Sequence, residues 1–294
     1  MPTFTPASFD YYQPHSIEEA MELVRRHEDS KLLAGGQSLL AMMKLRILQP
    51  KAIIDISRIP GMDYVRCDGG YIRIGAMTTH AEVAGSQVIA AKSPLLHDTA
   101  RTIADTQVRN LGTMGGSISH ADPSANYLPT LLALDAEIVV QGERGERTVA
   151  AKDFFLGPFQ AALETTDIVK EVRMRETGPG YGHSFRKLAR REQEFAIAIV
   201  SCLLSADGSG TVKDVRVALG AASTPARATR VEKELLRKKL TRQAVRAASN
   251  FATEGLEPAS DVRAGSEYRM HLARVVTNRA LLEAAGRAGL AMRD

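Results

Sequence analysis

Ser16 opens the first clear pattern. Ile17, Ala20, Met21 and Val24 recur at helical spacing behind it, and Ser16-Ile17-Glu18-Glu19 has the form of a capping box. The spacing predicts an amphipathic helix over 17–28. Lys31-Leu32-Leu33-Ala34 is a short apolar run that stops at Gly35-Gly36, which predicts a strand ending in a tight turn. Residues 39–46 predict one or two helical turns and 52–56 a buried strand. Residues 71–76 alternate as a half-buried strand does. Helices are predicted over 94–106 and over 123–134, where Pro123 suits a first turn. Residues 136–141 and 147–151 predict paired strands around the turn Gly142-Glu143-Arg144-Gly145, with a further strand over 168–174. Gly178-Pro179-Gly180 breaks the pattern. Beyond it lie predicted strands at 184–189, 195–204 and 212–219, the last two joined by the hairpin turn Asp207-Gly208-Ser209-Gly210. Helices follow from Arg230, the longest starting near Ser266 and carrying Leu272, Val275, Val276 and Leu282. Mixed helix and strand, then a small sheet followed by helices, is an α+β order.

Composition narrows the classes. A chain of 294 residues holds two domains or three small ones. With 44% apolar and 24% charged residues it is globular, so disordered, collagen-like and coiled-coil readings are excluded. The longest apolar stretch, 195–206, is too short to span a membrane and is interrupted by Ser201 and Ser205. The first residues carry no basic and apolar leader pattern, so the expectation is a cytoplasmic protein. Cys67 and Cys202 cannot make a disulfide framework, a four-thiolate iron–sulfur cluster or a four-cysteine zinc site, and both are expected to be buried or half-buried thiols.

Charge is uneven. Residues 1–177 hold 18 Lys and Arg against 22 Asp and Glu; residues 178–294 hold 20 against 12. The basic C-terminal part fits solvated Arg-rich helices or a docking face for an acidic partner. Its charges are scattered and poor in aromatics, which argues against nucleic acid. None of the seven histidines pairs at metal-ligand spacing. His120-Ala121-Asp122 has the form of an acid–base pair but is read first as structural, and Glu192 and Glu194 as solvated.

The chemistry signal lies in two segments, Ala34-Gly35-Gly36-Gln37-Ser38 and Thr113-Met114-Gly115-Gly116-Ser117. Paired glycines let successive backbone N–H groups share one concavity, and Ser and Thr add hydroxyl donors. Neither segment is a P-loop, and G-x-G-x-x-G occurs nowhere in the chain. Two such nests together suit one bridging anionic ligand such as a dinucleotide.

These segments carry a family resemblance. Leu33 to Leu40 with Arg46 resembles the first flavin motif of the FAD-binding medium subunit of molybdenum hydroxylases, the group of carbon monoxide dehydrogenase, quinoline 2-oxidoreductase and xanthine dehydrogenase. Arg109 to Ser117, continuing to Ala121-Asp122-Pro123, resembles the second motif. Gly75-Ala76-Met77-Thr78-Thr79-His80 and Phe185 to Arg191 are similar to the segments between and after them. The resemblance implies a two-part FAD-binding α/β domain (PCMH-type, vanillyl-alcohol-oxidase-like), with subdomains at 1–57 and 58–177. A C-terminal α+β domain would cover 178–294. FAD would lie between the two subdomains. Leu33, Ala34, Gly35, Gly36, Gln37 and Ser38 would bind it with Thr113, Gly115, Gly116 and Ser117, these loops holding the diphosphate. Thr78, Asn126, Ile168 and Lys187 would contact other parts. The chain departs from the family at Ala41, where Pro is frequent, and at Asn126, where Asp is usual.

The resemblance further implies an electron-transfer role with no catalytic residue and no metal on this chain. A small iron–sulfur subunit carrying 2Fe-2S clusters and a large subunit carrying the molybdenum cofactor would be partners, in a dimer of heterotrimers. Electrons would pass from the clusters to an outside acceptor. The substrate stays open between carbon monoxide, N-heteroaromatics and purines, and the acceptor between NAD, oxygen and a quinone. A self-sufficient FAD oxidoreductase of the same architecture and a non-enzymatic nucleotide-binding scaffold are the rival readings.

Overall fold

The computed structural model describes residues 5–221 and 224–291. Its first sheet is parallel. Strand β1 (Asp10–Tyr12), helix α1 (Ile17–Arg26), strand β2 (Ser30–Leu33), helix α2 (Leu39–Lys44) and strand β3 (Ala52–Asp55) follow one another, and β3 lies between β1 and β2. Every residue of β3 is buried, as the centre of a covered parallel sheet requires. Ser16 caps α1 by accepting the Glu19 N–H at 3.1 Å. The expected capping box is displaced by one residue, since the Glu19 carboxylate takes the His15 N–H at 2.7 Å.

The second sheet is antiparallel. Strands β4 (Val65–Asp68) and β5 (Tyr71–Gly75) begin it. Six helices intervene: α3 (His80–Gly85), α4 (Gln87–Lys92), α5 (Pro94–Arg101), α6 (Thr106–Leu111), α7 (Met114–His120) and α8 (Tyr127–Ala133). Strands β6 (Glu137–Gly142) and β7 (Gly145–Ala150), helix α9 (Ala151–Phe154), the small ribbon of β8 (Phe155–Gly157) and β9 (Gln160–Ala161), and β10 (Ile168–Arg175) complete it in the order β4-β5-β10-β6-β7. The expected helix over 94–106 ends at Arg101, and that over 123–134 starts only at Tyr127. Residues 80–92, given no element by periodicity, form α3 and α4. A true capping box, Thr79 with Glu82, starts α3.

The third sheet, β11 (Tyr181–Leu188), β12 (Ala198–Ala206), β13 (Val212–Gly220) and β14 (Ala226–Arg227), is antiparallel in chain order. Helices α10 (Thr229–Leu235), α11 (Arg242–Ser249) and the 22-residue α12 (Ser266–Arg287) follow. Helix α12 lies so close to β11 that a Cβ on Gly182 would overlap the Ala284 carbonyl oxygen. Arg230 on α10 and Lys238 just past its end pair with Glu234, as solvated basic residues do. No helix among the described residues is long and apolar enough to cross a membrane.

Two features tie the third sheet to the helices beside the second. A buried hydroxyl chain runs from Thr99 on α5 through Thr130 on α8 (2.8 Å) to Ser201 on β12 (2.7 Å). Lys187 of β11 reaches the Thr102 carbonyl, just past α5, at 3.0 Å. Buried polar groups require partners, so these bonds hold the sheet at one position against the helices.

Candidate functional site

The loop between β2 and α2 folds tightly. Gly36 has φ +69°, a left-handed conformation that favours glycine, and the side chains of Leu33 and Leu40 lie beneath it. The backbone N–H groups of residues 35–39 donate to no protein atom among the described residues. The loop keeps its donors, as a nest should.

The second glycine segment departs from the expectation. It is the first turn of α7 rather than an open nest, and its donors are used. Met114 N–H bonds the Thr78 carbonyl at 2.9 Å, and Gly115 N–H the Ala76 carbonyl at 2.8 Å. Gly116 N–H bonds the Thr113 hydroxyl at 3.1 Å, and Ser117 N–H the Thr113 carbonyl at 3.0 Å. The glycines serve close packing. A Cβ on Gly115 would lie 2.6 Å from the Ala76 side chain, and one on Gly116 would lie 2.9 Å from the Thr113 hydroxyl oxygen.

Both segments line one cavity of about 840 Å³. Of the expected residues, Ala34, Gly35, Gly36, Gln37, Ser38, Thr113, Gly115, Gly116, Ser117, Asn126, Ile168 and Lys187 all reach its wall. Leu33 and Thr78 do not. Leu33 supports Gly36 from below, and the buried Thr78 hydroxyl both donates to the Tyr64 carbonyl (3.0 Å) and accepts its N–H (3.1 Å). Asn126 gives its amide N–H to the Thr102 hydroxyl oxygen at 3.1 Å. Burial lowers the Lys187 pKa below the usual lysine value, with Glu192 opposing.

His80, to which the sequence assigns no role, also lines the cavity. Burial, with the Arg109 guanidinium adding to it, pushes its pKa down to about 4, so the ring is neutral at pH 7. Its ring meets Tyr127 edge-on with centroids 5.3 Å apart, and its buried Nδ1 has no partner among the described residues. The Thr79–Glu82 box is the sequence signal that marks this helix start. Phe159 and Phe195, both more than half exposed, also line the cavity, with no pattern in the sequence to announce them.

The other expectations are met in part, with corrections at Glu194 and Cys67. His120 and Asp122 line the cavity but do not pair: the Asp122 carboxylate takes the Ser124 N–H, and the His120 ring packs 5.2 Å from Phe159. Burial lowers the His120 pKa against the pull of Asp122. Glu194 is half-buried in the cavity wall, whereas Glu192 is exposed. Cys67 is exposed and bonds the Glu176 carboxylate at 2.8 Å, while Cys202 is buried. Among the described residues no group of three His, Cys, Asp or Glu could hold a metal ion.

Residues 7–174 match the family model described as the FAD binding domain in molybdopterin dehydrogenase, and residues 183–284 that of the CO dehydrogenase flavoprotein C-terminal domain. The chain is 40% identical to the carbon monoxide dehydrogenase medium chain of Hydrogenophaga pseudoflava, over 94% of this chain and 96% of that one. A solved structure of carbon monoxide dehydrogenase from the same organism superposes with a TM-score of 0.94 at 41% identity, covering 96% of this chain and 99% of its own. Quinoline 2-oxidoreductase from Pseudomonas putida 86 superposes with 0.92 at 30% identity, covering 97% and 100%. With two family models covering most of the chain, and a sequence and fold that match these relatives over nearly its whole length, this protein belongs to the family of FAD-binding medium subunits of molybdenum hydroxylases.

Proposed function

We propose that this chain carries FAD in the cavity and passes electrons from iron–sulfur clusters of a partner chain to an external acceptor. The observation that carries the reading is the Gly35–Ser38 loop. Its unpaired backbone donors stand in the wall of a cavity that the Thr113–Ser117 segment also lines. Those donors fit the FAD diphosphate, and the cavity has the size usual for a cofactor site.

In this reading residues 34–38 supply backbone N–H groups to the diphosphate. Gly116 and Ser117 flank it from α7, where the small residues leave room. Asn126, Ile168 and Lys187 contact other parts of the cofactor. Thr78 acts through its carbonyl, which holds the first turn of α7 in place, and Leu33 by supporting Gly36. FAD, when bound, supplies the electron-accepting chemistry, and the chain binds it, orients it and limits access of water. No side chain here is assigned an acid or base role.

The clusters and the molybdenum cofactor belong in this reading to a small and a large partner chain, assembled as a dimer of heterotrimers in the cytoplasm. The division at 1–57, 58–177 and 178–294 is supported by the strands, because each of the three larger sheets draws all its strands from one of these segments. Relatives of similar likeness are named for carbon monoxide, glyceraldehyde and nicotine, which fits a substrate pocket on another chain.

Acid precipitation of the purified chain tests the reading. Yellow flavin is expected in the supernatant. Assays with carbon monoxide or heteroaromatics are expected to show nothing until the iron–sulfur and molybdenum chains are added. Flavin retained in the precipitate, or hydroxylation by the lone chain, would overturn it.

A further inference from the structure

The turn Gly142-Glu143-Arg144-Gly145 has no part in the flavin motifs, yet its surroundings are built around it. Arg147, just past the turn, holds the buried carboxylate of Asp167 through two bonds of 2.9 and 2.5 Å. The same carboxylate takes the Glu164 N–H at 2.6 Å, and Arg147 also reaches the Ala162 carbonyl at 3.1 Å. Gly142 leaves room for the pair: a Cβ there would lie 2.5 Å from the Asp167 carboxylate oxygen. The tip adds two weaker ties. Arg144 pairs with Glu164, and Glu143 receives both Thr166 and Arg25 of α1.

Every partner in this set belongs to segment 162–167 or to α1. Leu163, Glu164, Thr165 and Asp167, followed by Ile168, form one stretch of cavity wall, and Val24 of α1 lines the cavity as well. Arg147 itself does not line the cavity. We infer that Arg147 is a positioning residue for the cofactor: through Asp167 it clamps segment 162–167 in the shape that binds FAD.

The inference rests on the cavity being the FAD site. Without the clamp, Ala162 and Leu163 still pack on the core and the Ala162 N–H still bonds the Phe154 carbonyl. Residues 164–167, however, keep only the two weak tip contacts and the Asp167 N–H bond to the Glu164 carbonyl, so ordering them would have to be supplied by FAD binding. The clamp is therefore expected to appear in FAD affinity and not only in stability. Leaving Asp167 buried without its partner is strongly destabilising, whereas removing both charges together is often neutral. That difference separates the two roles.

The test measures FAD binding to the full chain after flavin removal, by quenching of flavin fluorescence, alongside thermal unfolding of the same samples. The double variant Arg147→Leu/Asp167→Leu is expected to unfold near the wild-type temperature but to bind FAD about tenfold more weakly. Asp167→Asn, which keeps the shape and the acceptor for Glu164, is expected to fold and to weaken binding in the same direction. Arg147→Lys, which keeps the charge beside Asp167, is expected to keep most of the affinity. Wild-type FAD affinity in the double variant or in Asp167→Asn overturns the positioning role, whatever the unfolding temperature. If the wild-type chain binds no FAD, the cofactor reading itself fails, which is a different result.

Discussion

Gly35 lies against the end of α6: a methyl group on it would overlap the Leu111 carbonyl oxygen and stand 2.8 Å from the Gly112 Cα. The two flavin motifs, far apart in the chain, are thus joined at a contact that has no room for a side chain. Gly35→Ala must separate them, at a cost of about 1–3 kcal/mol for overpacking. The expected outcome is a lower urea midpoint together with a reduced ratio of flavin to protein. A variant with wild-type values of both would show that the two motifs do not depend on this contact.

Gly116→Val acts differently. Its Cβ would press on the Thr113 hydroxyl that caps α7. Loss of that cap costs about 1 kcal/mol, which the fold can absorb. The valine would also fill the face that Gly116 presents to the cavity. The expected result is a folded protein by circular dichroism with little bound flavin; full FAD occupancy would contradict the placement of the diphosphate.

His80 gives stability a pH dependence. Its folded pKa of about 4 lies below the unfolded value of about 6.5, so between these values the unfolded chain binds a proton that the folded chain does not. Its contribution is fully present above the unfolded pKa and is lost as pH falls toward 4. The loss is of the order of 3 kcal/mol. His120, whose pKa is also lowered, adds in the same direction. Urea midpoints at about pH 7 and about pH 5 are expected to differ less in His80→Gln than in the wild type. Equal slopes for the two proteins would remove His80 from the account.

Asn126 stands where the family resemblance implies Asp. Its amide N–H points to the Thr102 hydroxyl oxygen, and the Thr102 proton already goes to the Thr99 carbonyl at 2.8 Å. Asn126→Asp would oppose two acceptors unless Thr102 turns and gives up Thr99. A loss of about 1–2 kcal/mol in urea unfolding is expected, and Thr102→Val should relieve part of it in the double variant. A more stable Asn126→Asp protein would mean that the amide bond contributes nothing.

Short-range signals carried well where they were sufficient. Ile17, Ala20, Met21 and Val24 announced α1 because one turn of helix brings such positions onto one face. The alternation of residues 71–76 announced β5, and the apolar residues of 195–204 announced a strand, which the structure places at Ala198–Ala206 and buries on both faces. Helices α3, α4, α6 and α7 are only six or seven residues long, too short for periodicity to show, and their capping residues were the only local signs.

The sequence by itself determined that two glycine segments with Ser and Thr exist, that this chain lacks the thiols for its own clusters, and that the order of elements is α+β. Those are matters of composition and of spacing along the chain. Only the tertiary structure decided which glycine pair keeps its donors. The N–H groups of Met114 and Gly115 are taken by the carbonyls of Thr78 and Ala76, and no local pattern at residues 113–117 could reveal partners so distant in sequence. It likewise decided that Lys187 of the third sheet bonds the Thr102 carbonyl beside α5, and that Gly142 makes room for a carboxylate at Asp167. Such relationships arise when packing brings remote backbones within a few ångströms, where one Cβ or one carbonyl settles what can fit.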